Sequence, residues 1–330
     1  PFNIKADSIR LGNFTADEVR ELYLQHTADT GQVFQDDAMT NAWTLTEGQP
    51  WLVNALAREV IEKMKVPVHE AITVDHIENA KDRLILARAT HIDSLLARLR
   101  EEPVRRILEP VIAGEMPQHD PLDDDQRYVM DLGLIAAEPT VRIANPIYRE
   151  VILRVLASAA EPWVLEDPRR YVAPNGMLDV KRLFEGFAEF WKQHGELLAP
   201  RMAYSEAAAQ LVLVGFLHKI VNGGGLIERE IGVGKKRIDM MVQWPYTDEN
   251  GKKQAQRMVV EIKVWRDRDK KGDPLVQGLK QIDEYLARLG LNEGTLVIFD
   301  SRSIAEPIDD RTRFESQVTS SGRAVMLLRA

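Results

Sequence analysis

Two charged residues, Glu261 and Lys263, lie within the segment Arg257–Trp265, which otherwise has the composition of a buried strand. Successive side chains of a strand point to opposite faces, so the carboxylate and the ammonium share one face. Burying both charges costs desolvation free energy, and a polar cavity that holds a metal ion and a substrate phosphate offsets that cost. The segment therefore indicates a metal and phosphate site, with a solvated ion pair on an edge strand as the alternative.

A second acid comes from the preceding segment, Arg237–Trp244, which reads as an apolar strand with Asp239 as its lone carboxylate. The polar stretch Pro245–Gln256 contains Asn250-Gly251 and predicts a turn, so the two strands form an antiparallel hairpin with Asp239 beside Glu261. Two neighbouring carboxylates repel each other unless a cation lies between them. Oxygen ligands of this kind favour Mg²⁺ or Mn²⁺ over zinc.

Two predicted helices flank this hairpin. In the helix predicted for Pro274–Leu289, Gln281 and Tyr285 are four residues apart and share a face, where they could hold a phosphate or the attacking water. The alternative is a solvated amide and an aromatic residue at the rim. In the helix predicted for Tyr204–Val221, Glu206 lies in the first turn, where an acid also interacts favourably with the helix dipole.

Taken in order, Glu206, Asp239, Glu261-Ile-Lys263 and Gln281-Ile-Asp-Glu-Tyr285 resemble the motifs of the PD-(D/E)XK nuclease superfamily, in the branch that adds Gln-x-x-x-Tyr. The surrounding segments 221–225, 228–230, 234–239 and 297–300 are similar to the nuclease domain at the C-terminus of a group of prokaryotic AAA-like ATPases. The chain departs from the family at Ile238, where the second motif often has Pro, but the acid that follows is in place.

The resemblance implies an α/β restriction-endonuclease-like domain over residues 179–330, with a mixed central sheet flanked by helices. It also implies Mg²⁺- or Mn²⁺-dependent hydrolysis of phosphodiester bonds, with DNA as the expected substrate. The expected metal ligands are Asp239, Glu261 and the backbone carbonyl of Ile262. The expected catalytic residues are Glu206, Asp239, Glu261, Lys263, Gln281 and Tyr285.

The resemblance also implies a role for each side chain beside the metal. Lys263 would orient or deprotonate the attacking water and stabilise the charge of the transition state. Glu206 would contact metal-bound water, Gln281 would position water or phosphate, and Tyr285 would brace the helix face.

Basic residues cluster around the predicted site, although the whole chain has a net charge of −8. A chain with this net charge does not have a basic surface overall, but a local positive patch is enough to bind a phosphate backbone. The residues expected to contact nucleic acid are Lys235, Lys236, Arg237 and Arg266. The alternative is that they are solvated turn residues.

The N-terminal part, residues 1–72, is predicted to be helical, with Thr15 and Glu18 in a capping box. The segment Thr46–Trp51 resembles the Thr-Gly-Gly-x-Pro turn in the helical lid of AAA-like and signal-transduction ATPases, with Glu47 where that family usually has Gly. In those proteins the lid follows the nucleotide-binding core, so the resemblance implies an N-terminal ATPase core with ATP in the full-length protein. The glycines at 232–234 do not match a phosphate-binding loop, and no ATP hydrolysis is expected from this chain alone.

Residues 73–160 read as three helices, a short hairpin at 133–146 and a closing helix, which is a winged-helix pattern. The first of these helices is predicted over Ile77–Leu99. The acids Asp123–Asp125 would repel phosphate at the start of the third helix, which favours a packing or relay role over DNA binding. Residues 161–178 are predicted to be a linker, because Pro, Asp and Arg interrupt the periodicity.

Length and composition bound the remaining possibilities. A chain of 330 residues predicts two or three domains. No apolar run long enough for a membrane span and no signal-peptide pattern occur, so no membrane partner is expected and the cytoplasm is the expected compartment. The absence of cysteine excludes disulfides and Cys-ligated zinc.

The alternative to the nuclease function is a catalytically silent nucleic-acid-binding or regulatory module of an AAA-like ATPase.

Overall fold

The computed structural model describes residues 12–86 and 97–330, apart from 114, 116, 139, 203, 205, 206, 222–225, 234, 235, 270 and 271. For residues 201, 226–233 and 236–239 it describes the backbone only. The chain divides into two compact units, residues 1–152 and 153–330.

Unit 1 is built from helices and one small hairpin. Its elements are α1 (Ala16–Thr30), α2 (Asp36–Thr46), α3 (Pro50–Arg58, continued by a π-helical turn, Glu59–Lys63), α4 (Val74–Leu86), α5 (Glu102–Ile112), α6 (Asp124–Asp131), β1 (Ile135–Ala136), β2 (Arg142–Ile143) and α7 (Pro146–Ala157), which crosses the unit boundary. The predicted helix Ile77–Leu99 is observed as α4 up to Leu86, and residues 87–96 lie outside the described residues.

The predicted capping box at the start of α1 is confirmed. Thr15 Oγ1 accepts from the backbone N–H of Glu18 at 3.2 Å, and Glu18 Oε2 accepts from the backbone N–H of Thr15 at 2.7 Å. Each side chain thereby satisfies a backbone N–H that has no partner within the helix.

The turn between α2 and α3 requires left-handed backbone at two successive residues, Glu47 with φ 45° and Gly48 with φ 73°. The strain at Glu47 is offset by a paired contact with Arg142, whose two terminal nitrogens lie 2.5 and 2.7 Å from the carboxylate oxygens. Gln49 then caps α3 by accepting from the N–H of Leu52 at 2.7 Å. These contacts fix the direction in which the chain enters α3.

Alanine at Gly48 is expected to destabilise the protein far more than alanine at Gly31. Both glycines have left-handed φ, 73° and 78°, so both substitutions strain the backbone. A methyl group at position 31 meets no atom within 4 Å, whereas at position 48 it would lie 1.8 Å from the carbonyl oxygen of Phe14. We expect a loss of about 1 kcal/mol for Gly31→Ala and of at least about 3 kcal/mol for Gly48→Ala in urea denaturation. Equal losses would contradict this packing.

Unit 2 contains a six-stranded mixed sheet in the order β3-β4-β5-β6-β8-β7. The strands are β3 (Leu226–Val233), β4 (Lys236–Thr247), β5 (Lys253–Trp265), β6 (Glu293–Asp300), β7 (Arg313–Val318) and β8 (Ala324–Arg329). The neighbours β3, β4 and β5 are antiparallel, β5, β6 and β8 are parallel, and β7 pairs with β8 antiparallel. The expected α/β fold with a mixed sheet flanked by helices is therefore present.

The helices of unit 2 lie beside this sheet. They are the end of α7, α8 (Val180–Leu198), α9 (Ala208–Val221), α10 (Leu275–Leu289) and the short α11 (Ile308–Arg311). Aromatic residues of α8 pack in the core, since the rings of Phe187 and Trp191 lie 6.2 and 5.0 Å from Phe299 of β6. On the opposite face, Ile282 and Leu286 of α10 form a buried cluster with Leu296 of β6 and other strand residues.

The end of the segment 161–178 is hydrogen-bonded to the long β4–β5 hairpin. Gln256 of β5 accepts from the N–H of Leu178 at 2.8 Å and donates to its carbonyl at 3.0 Å, and Trp244 Nε1 donates to the carbonyl of Gly176 at 3.0 Å. Two short 3-10 helices, Glu161–Trp163 and Pro168–Tyr171, lie within this segment, and Tyr171 is buried.

No helix in the described parts of the chain combines the length and apolar character needed to cross a membrane.

Candidate active site

The predicted hairpin is present, and its register determines which residues lie opposite each other. The paired residues run from Thr247 opposite Lys253 to Met240 opposite Val260, so the next residues of the two strands are Asp239 and Glu261. The strands extend further into the predicted turn than expected, because Pro245 and Thr247 still pair with Ala255 and Lys253. Residues opposite each other in an antiparallel pair share a face of the sheet. The same register, continued by one residue, sets position 239 opposite position 261.

Glu261 and Lys263 form an ion pair inside the sheet. Glu261 is 1% exposed, Lys263 has 17% of its side chain exposed, and Lys263 Nζ lies 2.5 Å from Glu261 Oε1. The same ammonium approaches the carbonyl oxygen of Ile262 at 3.3 Å. Because β5 lies between β4 and β6, the alternative of a solvated pair on an edge strand is wrong.

Helix α10 covers the sheet face that carries this ion pair. Val259, two residues before Glu261 and therefore on the same face, packs in one buried cluster with Tyr285. Tyr285 is 2% exposed, so the alternative of an aromatic residue at the rim is also wrong.

Gln281 lies one turn before Tyr285 on α10 and is half-buried. Its amide oxygen Oε1 is buried and has no hydrogen-bond partner among the residues that the structure describes. A buried acceptor without a donor costs free energy, so this amide oxygen suits a water molecule or a ligand that donates to it.

The donor set of this site suits a hard divalent cation. Glu261 offers a buried carboxylate and Ile262 a backbone carbonyl, and oxygen donors of this kind are what Mg²⁺ and Mn²⁺ prefer. Among the side chains that the structure describes, no group of three His, Asp or Glu is arranged to hold a metal ion. The expected set includes Asp239, described by its backbone only, and Glu206, which lies outside the described residues.

The residues expected to contact nucleic acid are only partly described. Lys235 lies outside the described residues, and the backbone places Lys236 and Arg237 at the start of β4, opposite Val233 and Gly232 of β3. Arg266 directly follows β5 and is half-buried, and its N–H donates to Asp269 Oδ2 at 2.8 Å. Arg266 is thus three residues beyond Lys263, just past the end of β5.

Sequence reasoning missed a polar cavity at the carboxyl ends of the parallel strands β5, β6 and β8. The cavity has a volume of about 400 Å³, and Trp265, Asp300 and Arg329 from the ends of these strands line it. Ligands in open α/β sheets commonly bind beyond the carboxyl ends of the strands. The available signal was Asp300-Ser-Arg302, an acid and a base directly after a buried strand.

A carboxylate on α10, Asp283, ties this helix to the turn between β7 and β8. It accepts hydrogen bonds from Thr319 at 2.7 Å, Ser320 at 3.1 Å and Arg323 at 2.9 Å, and also from Ser321. Desolvation tends to raise the pKa of Asp283, but the hydrogen bonds from Ser321, Thr319, Arg323 and Ser320 together lower it well below its usual value. The contacts hold α10 over the sheet.

Asp283→Ala is expected to lower the free energy of unfolding by about 2–3 kcal/mol at pH 7. Since the pKa is lower in the folded chain than its unfolded value of about 3.9, this stabilisation is fully present above about pH 4 and is lost as the pH falls towards the folded value. Urea denaturation at pH 7 and pH 3 measures both effects. Asp309→Ala, at an exposed position of α11, is the control, with an expected change within about 0.5 kcal/mol. A loss for Asp283→Ala that is the same at both pH values would contradict the assignment.

Comparison of the chain with family models, with curated proteins and with solved structures finds no match in any of the three.

Proposed function

We propose that this chain is a metal-dependent nuclease of the PD-(D/E)XK type, which hydrolyses phosphodiester bonds in nucleic acid, with DNA as the expected substrate. The observation that carries the proposal is the buried Glu261–Lys263 ion pair on a central strand, with position 239 next to it across the hairpin. Burying a carboxylate and an ammonium costs free energy that an apolar pair would not cost. Buried charged groups of this kind are common at catalytic sites, where the charges take part in the reaction.

The residues of the chain divide the chemistry between them. Asp239, Glu261 and the carbonyl of Ile262 would hold a divalent ion, which when bound would supply a Lewis acid and a water of lowered pKa. Lys263, with its Nζ 2.5 Å from Glu261 Oε1, provides positive charge beside the carboxylate and donates hydrogen bonds to the attacking water or to a phosphate oxygen. The buried amide oxygen of Gln281 accepts from a water, and Tyr285 packs α10 onto the sheet.

Unit 1 supports a regulatory role in the same protein. The left-handed backbone at Glu47 and Gly48 has the conformation that glycines adopt readily, which is consistent with the resemblance to the lid turn of AAA-like ATPases. The helices α4 to α7 with the hairpin β1–β2 are consistent with a winged-helix domain. Arg106 pairs with both Asp123 and Asp125 at the start of α6, which favours packing over DNA binding for this helix. An ATPase core that precedes these helices in a full-length protein would control the nuclease.

Incubation of the protein with labelled single-stranded and double-stranded DNA and RNA tests the proposal. Cleavage is expected with Mg²⁺ or Mn²⁺ and none with EDTA. Binding without cleavage of any of the four substrates, by this chain and by a full-length protein with ATP, would overturn the proposal in favour of a silent nucleic-acid-binding or regulatory module.

A further inference from the structure

The cavity beyond β5, β6 and β8 is a second polar site on the sheet face that α10 covers. Trp265, Asp300 and Arg329 follow Lys263, Ile298 and Leu327 by two residues on their strands and so share that face. The remaining polar lining comes from the loops, from α11 and from β7, and consists of Asp273, Arg302, Glu306, Arg311, Arg313 and Glu315.

The register places this cavity next to the proposed catalytic centre. Lys263 pairs with Ile298, and Trp265 pairs with Asp300. Trp265 is two residues beyond Lys263, a distance of about 7 Å along the strand. A strand of nucleic acid whose scissile phosphate lies at Lys263 would bring a neighbouring nucleotide to the cavity.

The charges of the cavity are already balanced within it. Arg302 is held by Asp300 at 2.6 Å, and Arg329 is held by Asp273 at 2.8 Å and by Glu315 at 3.0 Å. Arg313 is shared between Glu306 at 3.6 Å and Glu315 at 3.3 Å. A free phosphate would have to displace these carboxylates, so the cavity is not built for an isolated anion.

The cavity does offer a planar surface and mixed hydrogen-bonding groups. The guanidinium carbon of Arg302 lies over the Trp265 ring, 3.3 Å from its centre, and 23% of the Arg302 side chain remains exposed. Arg311 donates to the carbonyl of Glu306 at 2.8 Å, while its Nε is buried without a hydrogen-bond partner in the described residues. Guanidinium donors and carboxylate acceptors beside the Trp265 ring match a neutral, planar ligand that carries both acceptors and donors on its edge.

We propose that this cavity binds the unpaired base of the nucleotide next to the scissile phosphate, so that the substrate is a strand whose bases are not paired at that point. Bases that are splayed out of a strand stack on aromatic rings or arginine planes and hydrogen-bond through their edges. A base within a duplex would first have to be unpaired and extruded. The proposal specifies the substrate of the proposed nuclease and rests on that function for the position of the scissile phosphate.

The test is equilibrium binding in EDTA, which does not depend on cleavage. The probes are a fluorescein-labelled single strand of DNA of about 12 nucleotides and a strand of equal length that is abasic throughout. The strand with bases is expected to bind at least about tenfold more tightly. Arg302→Ala should remove this difference in affinity and leave the affinity for the abasic strand unchanged. Arg302→Lys should have the same effect, because it keeps the positive charge but loses the planar guanidinium group.

Arg169→Ala is the matched control. Arg169 also pairs with an aspartate two residues earlier, Asp167, at 2.7 Å, but its side chain is 89% exposed and it does not line the cavity. This variant should keep the full difference between the two strands. If Arg302→Ala fails to fold, as judged by circular dichroism, Arg302→Lys carries the test.

The outcomes separate this inference from the proposed function. Equal affinities of the two strands for the unchanged protein, or a difference that survives both Arg302 variants, would overturn the inference even if the protein cleaves DNA. A difference that depends on Arg302, together with no cleavage by this chain or by a full-length protein with ATP and Mg²⁺, would support the base site and overturn the nuclease.

Discussion

Glu261→Gln and Lys263→Met are each expected to lower the rate of nucleic acid cleavage by roughly 100- to 1,000-fold or more, the usual effect of removing one group that stabilises charge in a transition state. Glu261→Gln keeps the shape of the side chain but removes the negative charge needed for a divalent ion. Lys263→Met keeps much of the length but removes the ammonium that lies 2.5 Å from the carboxylate. The measurement is the single-turnover cleavage rate of a labelled strand at saturating Mg²⁺.

The matched control for these variants is Lys280→Met on α10, where the lysine is exposed and belongs to the helix that covers the site. It should keep the rate of the unchanged protein. Unaltered cleavage in either Glu261→Gln or Lys263→Met would remove these residues from the mechanism, and an equal loss in Lys280→Met would point to a general effect of charge.

The second large effect concerns stability. Lys263→Met leaves the carboxylate of Glu261 buried without its cation, and breaking a buried ion pair on one side costs about 3–5 kcal/mol. We expect a loss near the lower end, about 3 kcal/mol, because 17% of the lysine side chain is exposed and water can approach the site. The double variant Glu261→Gln, Lys263→Met should recover most of this loss, because it removes both charges together.

Urea denaturation of the unchanged protein, the two single variants and the double variant in EDTA gives the coupling energy of the pair. A favourable coupling of at least about 1.5 kcal/mol is expected for such a close pair. Additive effects of the two substitutions would show that the ion pair does not control stability. In that case the burial of the two charges would not indicate a catalytic role.

The local elements around the site could be predicted from the sequence. Alternation of apolar and charged residues predicted the strand at Arg257–Trp265, and Asn250-Gly251 placed the turn of the hairpin, with Gly251 at φ 75°. Helical spacing predicted α10 to within one residue at its start. These signals are local in the chain, so the pairing of β4 with β5, whose register sets position 239 opposite position 261, followed from them.

The cavity could not be predicted in the same way. Trp265, Asp300 and Arg329 are far apart in the sequence and meet only because β5, β6 and β8 are parallel and adjacent, in a sheet order that places β8 before β7. Alternation of side chains does not indicate which strands are neighbours. The burial of Tyr285 depends on the same arrangement, because its cluster joins Ile282 and Leu286 of its own helix to residues of β5, β6 and β8.

The resemblance to nucleases and to AAA-like ATPases, the boundaries of the predicted domains and the roles of Glu206 and Asp239 stay predictions. The structure supplies the backbone position of Asp239 and the surroundings of Glu261 and Lys263, and the proposed mechanism depends on these three residues acting on one metal ion.

Binding of Mn²⁺ to the full chain, followed by electron paramagnetic resonance, tests the shared metal site most directly. The expected result is one saturable site in the unchanged protein that is lost in Asp239→Asn and in Glu261→Gln and is kept in Asp309→Asn. Absence of saturable binding, or binding that persists in both site variants, would contradict the claim that Asp239 and Glu261 hold a divalent ion together.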